Sequence, residues 1–79
     1  MVERHRIYRD LRLPSFREAV DLIGRVADVA ERHGHHPNIT LHEWCFVHLE
    51  LYSHLTGGLS TKDVELAIAI DDEVGPPGA

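Results

Sequence analysis

Imidazole is the side chain whose ordinary titration lies closest to neutral pH, so clustered histidines are where proton transfer or metal ligation should be sought. This chain has seven histidines in 79 residues, three of them in the run His33-Gly34-His35-His36. Positioned imidazoles used as general acid and base contribute roughly 100- to 10,000-fold in rate. Two other readings apply to the same residues. A His-x-His-His run can offer nitrogens to zinc, but zinc takes three or four convergent ligands with outer support, and adjacent side chains such as His35 and His36 tend to diverge. No metal is therefore expected. Histidines just past a helix end can also simply complement its negative dipole.

The elements that must carry these residues follow from periodicity. From about Arg4 to Leu13, Ile7, Leu11 and Leu13 alternate loosely with charges, which predicts a first or edge strand ended by Pro14. Ser15 to Glu18 has the form of a capping box. Phe16, Ala19, Val20, Ile23, Val26, Ala27 and Ala30 then recur at helical spacing up to Gly34, which can close the helix in a left-handed conformation. Two strands follow, with Ile39 and Leu41 on one face of the first and Val47, Leu49 and Leu51 on one face of the second. A turn is expected over Glu43 to Cys45, and period two puts His48, Glu50, Tyr52 and His54 on the opposite, polar face. Ser60 to Asp63 is a second N-cap signal, leading into a helix with Val64, Leu66, Ala67 and Ile70. The order implies an antiparallel sheet with helices on one side and one open face. His35, His36 and His54 are then expected to converge near one rim of the sheet, on the open side. Asp63 reads equally well as a helix-capping carboxylate and as a site residue.

Glu31, His35-His36-Pro37, Trp44, His54 and Asp63, with the Gly58-Leu59-Ser60 turn and Leu66-Ala67, stand at spacings that resemble the pterin-4a-carbinolamine dehydratases. Phe16-Arg17-Glu18-Ala19 and Arg25-Val26-Ala27 are also similar to that family's long helix, and the resemblance runs from Ile7 to Asp71. It implies an α+β, two-layer fold: a four-stranded antiparallel sheet with helices packed on one face, in dimers joined edge to edge or in tetramers built through helices. It further implies a hydro-lyase that takes 4a-hydroxytetrahydropterin to quinonoid dihydropterin and water, without a cofactor. His35 and His54 would serve as acid-base groups, and His36 would bind and orient the pterin. Pro37, Glu31 and Asp63 would support the site, the carboxylates by accepting an imidazole's second proton. Many family members begin with a helical segment bearing a tryptophan near the pterin, whereas this sequence starts close to the first strand. His54 also lies one residue further from His36 than in some relatives. Other members act as dimerisation cofactors of transcription factors or resemble assembly factors, which makes a protein-binding module the competing implication.

Composition sets the frame for these readings. One domain over residues 1–74 and a disordered tail over 75–79 are expected. A net charge of -5 argues against general affinity for nucleic acid. No apolar run approaches the roughly 20 residues that span a bilayer. The single cysteine, Cys45, excludes a disulfide within one chain, which suits a cytoplasmic setting and leaves association with a second copy as the means of covering exposed apolar surface. Trp44 is expected to cover an apolar sheet edge and Cys45 to act as a small buried hydrophobe. His5, His33, His42 and His48 are expected to be solvated or structural, with His48 alone facing the site. An aromatic amino-acid hydroxylase is the metabolic source of substrate that the resemblance suggests.

Overall fold

A computed structural model describes residues 2–3, 6–52 and 60–75. The fold is α+β, with two helices and a three-stranded antiparallel sheet. Its elements are β1 (Val2–Glu3), β2 (Arg6–Arg12), α1 (Phe16–His33), β3 (Asn38–His42), β4 (Phe46–Tyr52) and α2 (Thr61–Val74). β4 lies between β2 and β3, with Ile7 opposite Leu51, Leu11 opposite Val47, and Leu41 opposite Val47 on the other side. Of the four strands expected, three are full strands, and β1 contributes a two-residue pairing in which Val2 faces Ile7 and Glu3 faces Arg6.

The register puts Val47, Leu49 and Leu51 on the helix-facing side, where they are buried with Ala19, Leu22, Val26 and Val29 of α1 and Leu66 and Ile70 of α2. Ile7, Leu11, Ile39 and Leu41 pack against this core from the flanking strands. The helical stripe agrees in part with the one expected, since Ala19, Val26 and Ala30 are buried. Leu22 and Val29 are buried, whereas Phe16 is 56% and Val20 41% exposed. The sequence carries two apolar stripes, and the one through Ala19, Leu22, Val26 and Val29 meets the sheet. Val64 likewise points outward from α2. Arg9 shares the helix-facing side of β2, where its guanidinium donates to Asp71 of α2 at 2.9 Å.

Local signals end the elements where the sequence placed them. Ser15 caps α1 by accepting the Glu18 amide, but Glu18 answers the Ser15 hydroxyl at 3.0 Å, in place of the backbone amide that a full capping box uses. Gly34 closes α1 with φ 61°. Between β3 and β4 the chain turns over Glu43 and Trp44, both left-handed at φ 50° and 58°. Leu13 donates its amide to the Cys45 carbonyl at 2.8 Å, tying the turn to the end of β2. Cys45 is buried, as expected, and Trp44 is 57% exposed. No helix among the described residues is long and apolar enough to cross a membrane.

Candidate functional site

The site begins with how α1 ends. The left-handed turn at Gly34 lets its amide reach the Glu31 carbonyl at 3.2 Å and the His35 amide reach the Ala30 carbonyl at 3.2 Å. These bonds satisfy carbonyls that a helix end leaves open, and they reverse the chain so that His35 points back along the helix layer. There it meets α2, whose first turn is built around a complete capping box between Ser60 and Asp63.

Asp63 is fully buried, and a carboxylate in that setting must have its oxygens hydrogen-bonded. Oδ2 accepts the Ser60 amide at 2.9 Å and the Ser60 hydroxyl at 3.2 Å. Oδ1 stands 2.5 Å from Nε2 of His35. A carboxylate can only accept, so Nε2 is the donor and carries the ring proton. This leaves Nδ1 to exchange a proton with another molecule, and among the described residues nothing bonds to it. The position at the start of α2 adds the favourable end of the helix dipole to the carboxylate. Asp63 thus both caps the helix and holds an imidazole, so the two readings of this residue are not exclusive.

His36 makes an analogous but exposed pair, its Nε2 2.8 Å from Oε2 of Glu31. With side chains 64% and 75% exposed, the pair contributes little stability, but it restrains the ring. Pro37 follows and is half-buried where β3 begins. It also lines a cavity of about 690 Å³ that runs along the helix-facing side of β2, past Ile7, Leu11, Leu51, Ile70 and Val74. His54, expected as the third imidazole, and Gly58 and Leu59 lie outside the described residues.

One expectation changes. His35 engages α2, so the carboxylate–imidazole pair belongs to the helix layer at the rim, not to the open face. His48 sits on the polar open face, where the alternation predicts it, and there its Nδ1 donates to Asp10 at 2.6 Å and its ring stacks on Tyr8 with centroids 5.6 Å apart. That Asp10–His48 pairing was missed, because it joins strands whose register the sequence alone does not give. The link from Ser60 to the site was also missed, although the Ser60-x-x-Asp63 spacing was visible as a cap. Among the described residues no group of three or more histidine, cysteine, aspartate or glutamate side chains could hold a metal ion.

Comparison with known proteins bears on this arrangement. A chain from Arabidopsis thaliana, the mitochondrial pterin-4-alpha-carbinolamine dehydratase 2, is 40% identical over 67 residues, covering 85% of this chain and 36% of its own length. A Nocardia farcinica protein named for the same dehydratase is 44% identical over 66 residues, covering 84% of this chain and 68% of its own. This chain therefore spans about a third of the plant relative and about two thirds of the bacterial one. Among solved structures, a transcriptional coactivator/pterin dehydratase from Brucella melitensis superposes with TM-score 0.80 at 24% identity, covering 95% of this chain and 79% of that one. A pterin dehydratase-like RuBisCO assembly factor of the alpha-carboxysome superposes with TM-score 0.73 at 17% identity, over 95% and 86% of the two chains. At those identities the likeness is one of fold. The family profile of pterin 4 alpha carbinolamine dehydratase, in contrast, matches residues 1–73, which include the His35–Asp63 and His36–Glu31 pairs. On that match, the chain belongs to the pterin 4 alpha carbinolamine dehydratase family.

Proposed function

We propose that the chain is a 4a-hydroxytetrahydropterin dehydratase, in which histidines move the protons and no metal or cofactor takes part. The observation that carries this reading is the imidazole of His35, held through Nε2 by the buried carboxylate of Asp63, with His36 next in the chain. Loss of water from C4a needs a proton delivered to the departing hydroxyl as the C–O bond breaks. It also needs a proton removed from N5, whose electron pair forms the new C=N bond of the quinonoid dihydropterin. An imidazole with one nitrogen fixed by a carboxylate keeps the other in a defined state for one of these transfers. His35 and His54 take the acid and base roles. His36 orients the pterin, with Glu31 steadying its ring and Pro37 fixing the backbone.

The reaction belongs to tetrahydropterin recycling, fed by an aromatic amino-acid hydroxylase in the cytoplasm. The protein works as a homodimer or homotetramer. Val2–Glu3 begins a fourth strand on one sheet edge, β3 offers its outer edge for pairing with a second copy, and the exposed Phe16 and Val20 offer a helix surface. That exposed stripe also supports the second reading, a protein-binding module of low activity.

The decay of enzymatically generated 4a-hydroxytetrahydropterin, followed with and without the protein, separates the two. A dehydratase accelerates it, and alanine at His35, His36 or His54 lowers turnover by at least about tenfold. Unchanged rates in all three variants remove the mechanism.

A further inference from the structure

We propose that Ser60 is a positioning residue for His35, acting through Asp63, so that the cap of α2 determines which imidazole nitrogen meets the substrate. The catalytic consequence rests on the dehydratase reading above, but the positioning itself does not.

Beside the backbone bond from the Asp63 amide to the Ser60 carbonyl at 3.1 Å, three hydrogen bonds that involve a side chain connect Ser60 and Asp63. The Ser60 hydroxyl donates to Asp63 Oδ2 at 3.2 Å while accepting the Asp63 amide at 3.4 Å. The Ser60 amide donates to the same Oδ2 at 2.9 Å. A hydroxyl has one proton and two lone pairs, so it can do both at once. With Oδ2 held from two directions, the plane of the carboxylate is set, and Oδ1 is directed at Nε2 of His35, 28 residues back in the chain, at 2.5 Å. The carboxylate is buried, so water does not take over a donor that is removed. The hydroxyl of Ser60 therefore restrains the torsion that aims Oδ1, and through it the tautomer and orientation of His35. Outer hydrogen bonds of this kind fix imidazole tautomers wherever the ring's second nitrogen must stay available.

Glycine caps helices nearly as well as serine, so Ser60→Gly removes the hydroxyl with little loss of the cap. Ser60→Thr keeps it. Ser15→Gly, at the start of α1, is the control for weakening a cap that does not touch Asp63. The readout is the 15N signals of the His35 ring, assigned with His35→Gln, at a pH where the ring is neutral. The unmodified chain, Ser60→Thr and Ser15→Gly should show Nε2 protonated and Nδ1 bare. Ser60→Gly should shift both nitrogens toward tautomer-averaged values and lower kcat about tenfold, with KM changed less than about twofold. Should glycine prevent folding, Ser60→Cys, whose thiol is a weak donor of nearly the same size, gives the same reading. A His35 signature in Ser60→Gly identical to that of the unmodified chain overturns the inference, whatever the activity. Tautomer averaging in Ser60→Gly of a protein with no turnover upholds the positioning and removes the dehydratase reading instead.

Discussion

His48 and Asp10 sit directly opposite each other on β4 and β2 and are joined by a 2.6 Å hydrogen bond from Nδ1 to Oδ1. Glu50 lies 3.3 Å from the other ring nitrogen and also accepts from Arg6 at 2.7 Å, while Tyr8 stacks on the imidazole. The bond to Asp10 raises the His48 pKa above 6.5, opposed by burial and helped by Glu50. The bond from His48 lowers the Glu50 pKa below 4.5, again opposed by burial and helped by Arg6.

The signs define a pH window. A raised histidine pKa stabilises the fold fully below 6.5, and the benefit disappears as pH rises through the folded-state value. A lowered glutamate pKa stabilises fully above 4.5, and the benefit is lost as pH falls through its folded-state value. The open-face network should therefore contribute most between pH 4.5 and 6.5. Proton NMR titration of His48 in Asp10→Asn should give a midpoint below that of the unmodified chain. An equal midpoint would mean that Asp10 does not set it.

Removing the Asp63 side chain should weaken the fold as well as the site. Asp63→Ala breaks the capping box and removes the buried carboxylate that the Ser60 amide and the part-buried His35 ring bond to, at a cost of about 2–4 kcal/mol. Ser15→Ala, at a half-exposed cap, should cost about 1 kcal/mol. Urea unfolding compares them, and equal losses would show that burial of Asp63 adds nothing to its role as a cap.

The two stripes of α1 should separate stability from association. Leu22→Ala, in the buried stripe, should cost roughly 2–5 kcal/mol. Val20→Lys, in the exposed stripe, should stay within about 0.5 kcal/mol for the single chain and lower the mass of any helix-built oligomer. Light scattering at micromolar concentration measures the second effect. A mass unaltered by the lysine, yet larger than one 8.9 kDa chain, places the contact elsewhere.

Much of this was visible in the residues because local chemistry decides it. Ser15, Gly34 and Ser60 mark helix ends through their own hydrogen bonds or φ, and the alternation around Val47 and Leu49 sets which side of β4 is buried. Choices between competing surfaces were not visible. Phe16 and Val20 are as apolar as Leu22, and only the packed sheet selects one stripe. The candidate site divides in the same way. His35, His36, Glu31 and Asp63 stood out by type and spacing, but the pairing of His35 with Asp63 and of His36 with Glu31 depends on how the chain leaves Gly34.

The hairpin turn should tolerate, even favour, smaller residues. Glu43 and Trp44 both occupy a conformation that costs an ordinary residue about 1–2 kcal/mol. Trp44→Gly should relieve that strain by more than the added freedom of the unfolded chain costs, raising Tm by a few degrees. A lower Tm in calorimetry would mean that the indole contributes more than the strain removes.

That same turn determines what optical spectroscopy can see. Trp44 is the chain's single tryptophan, more than half exposed, and separated from Pro37 by the length of β3, about 17 Å at ~3.3 Å per residue. Its emission within one chain therefore reports on water at the hairpin tip and is open to iodide quenching. A pterin beside His35 would dim it through long-range energy transfer, not by contact, so a titration read in this light measures a distance as well as an affinity.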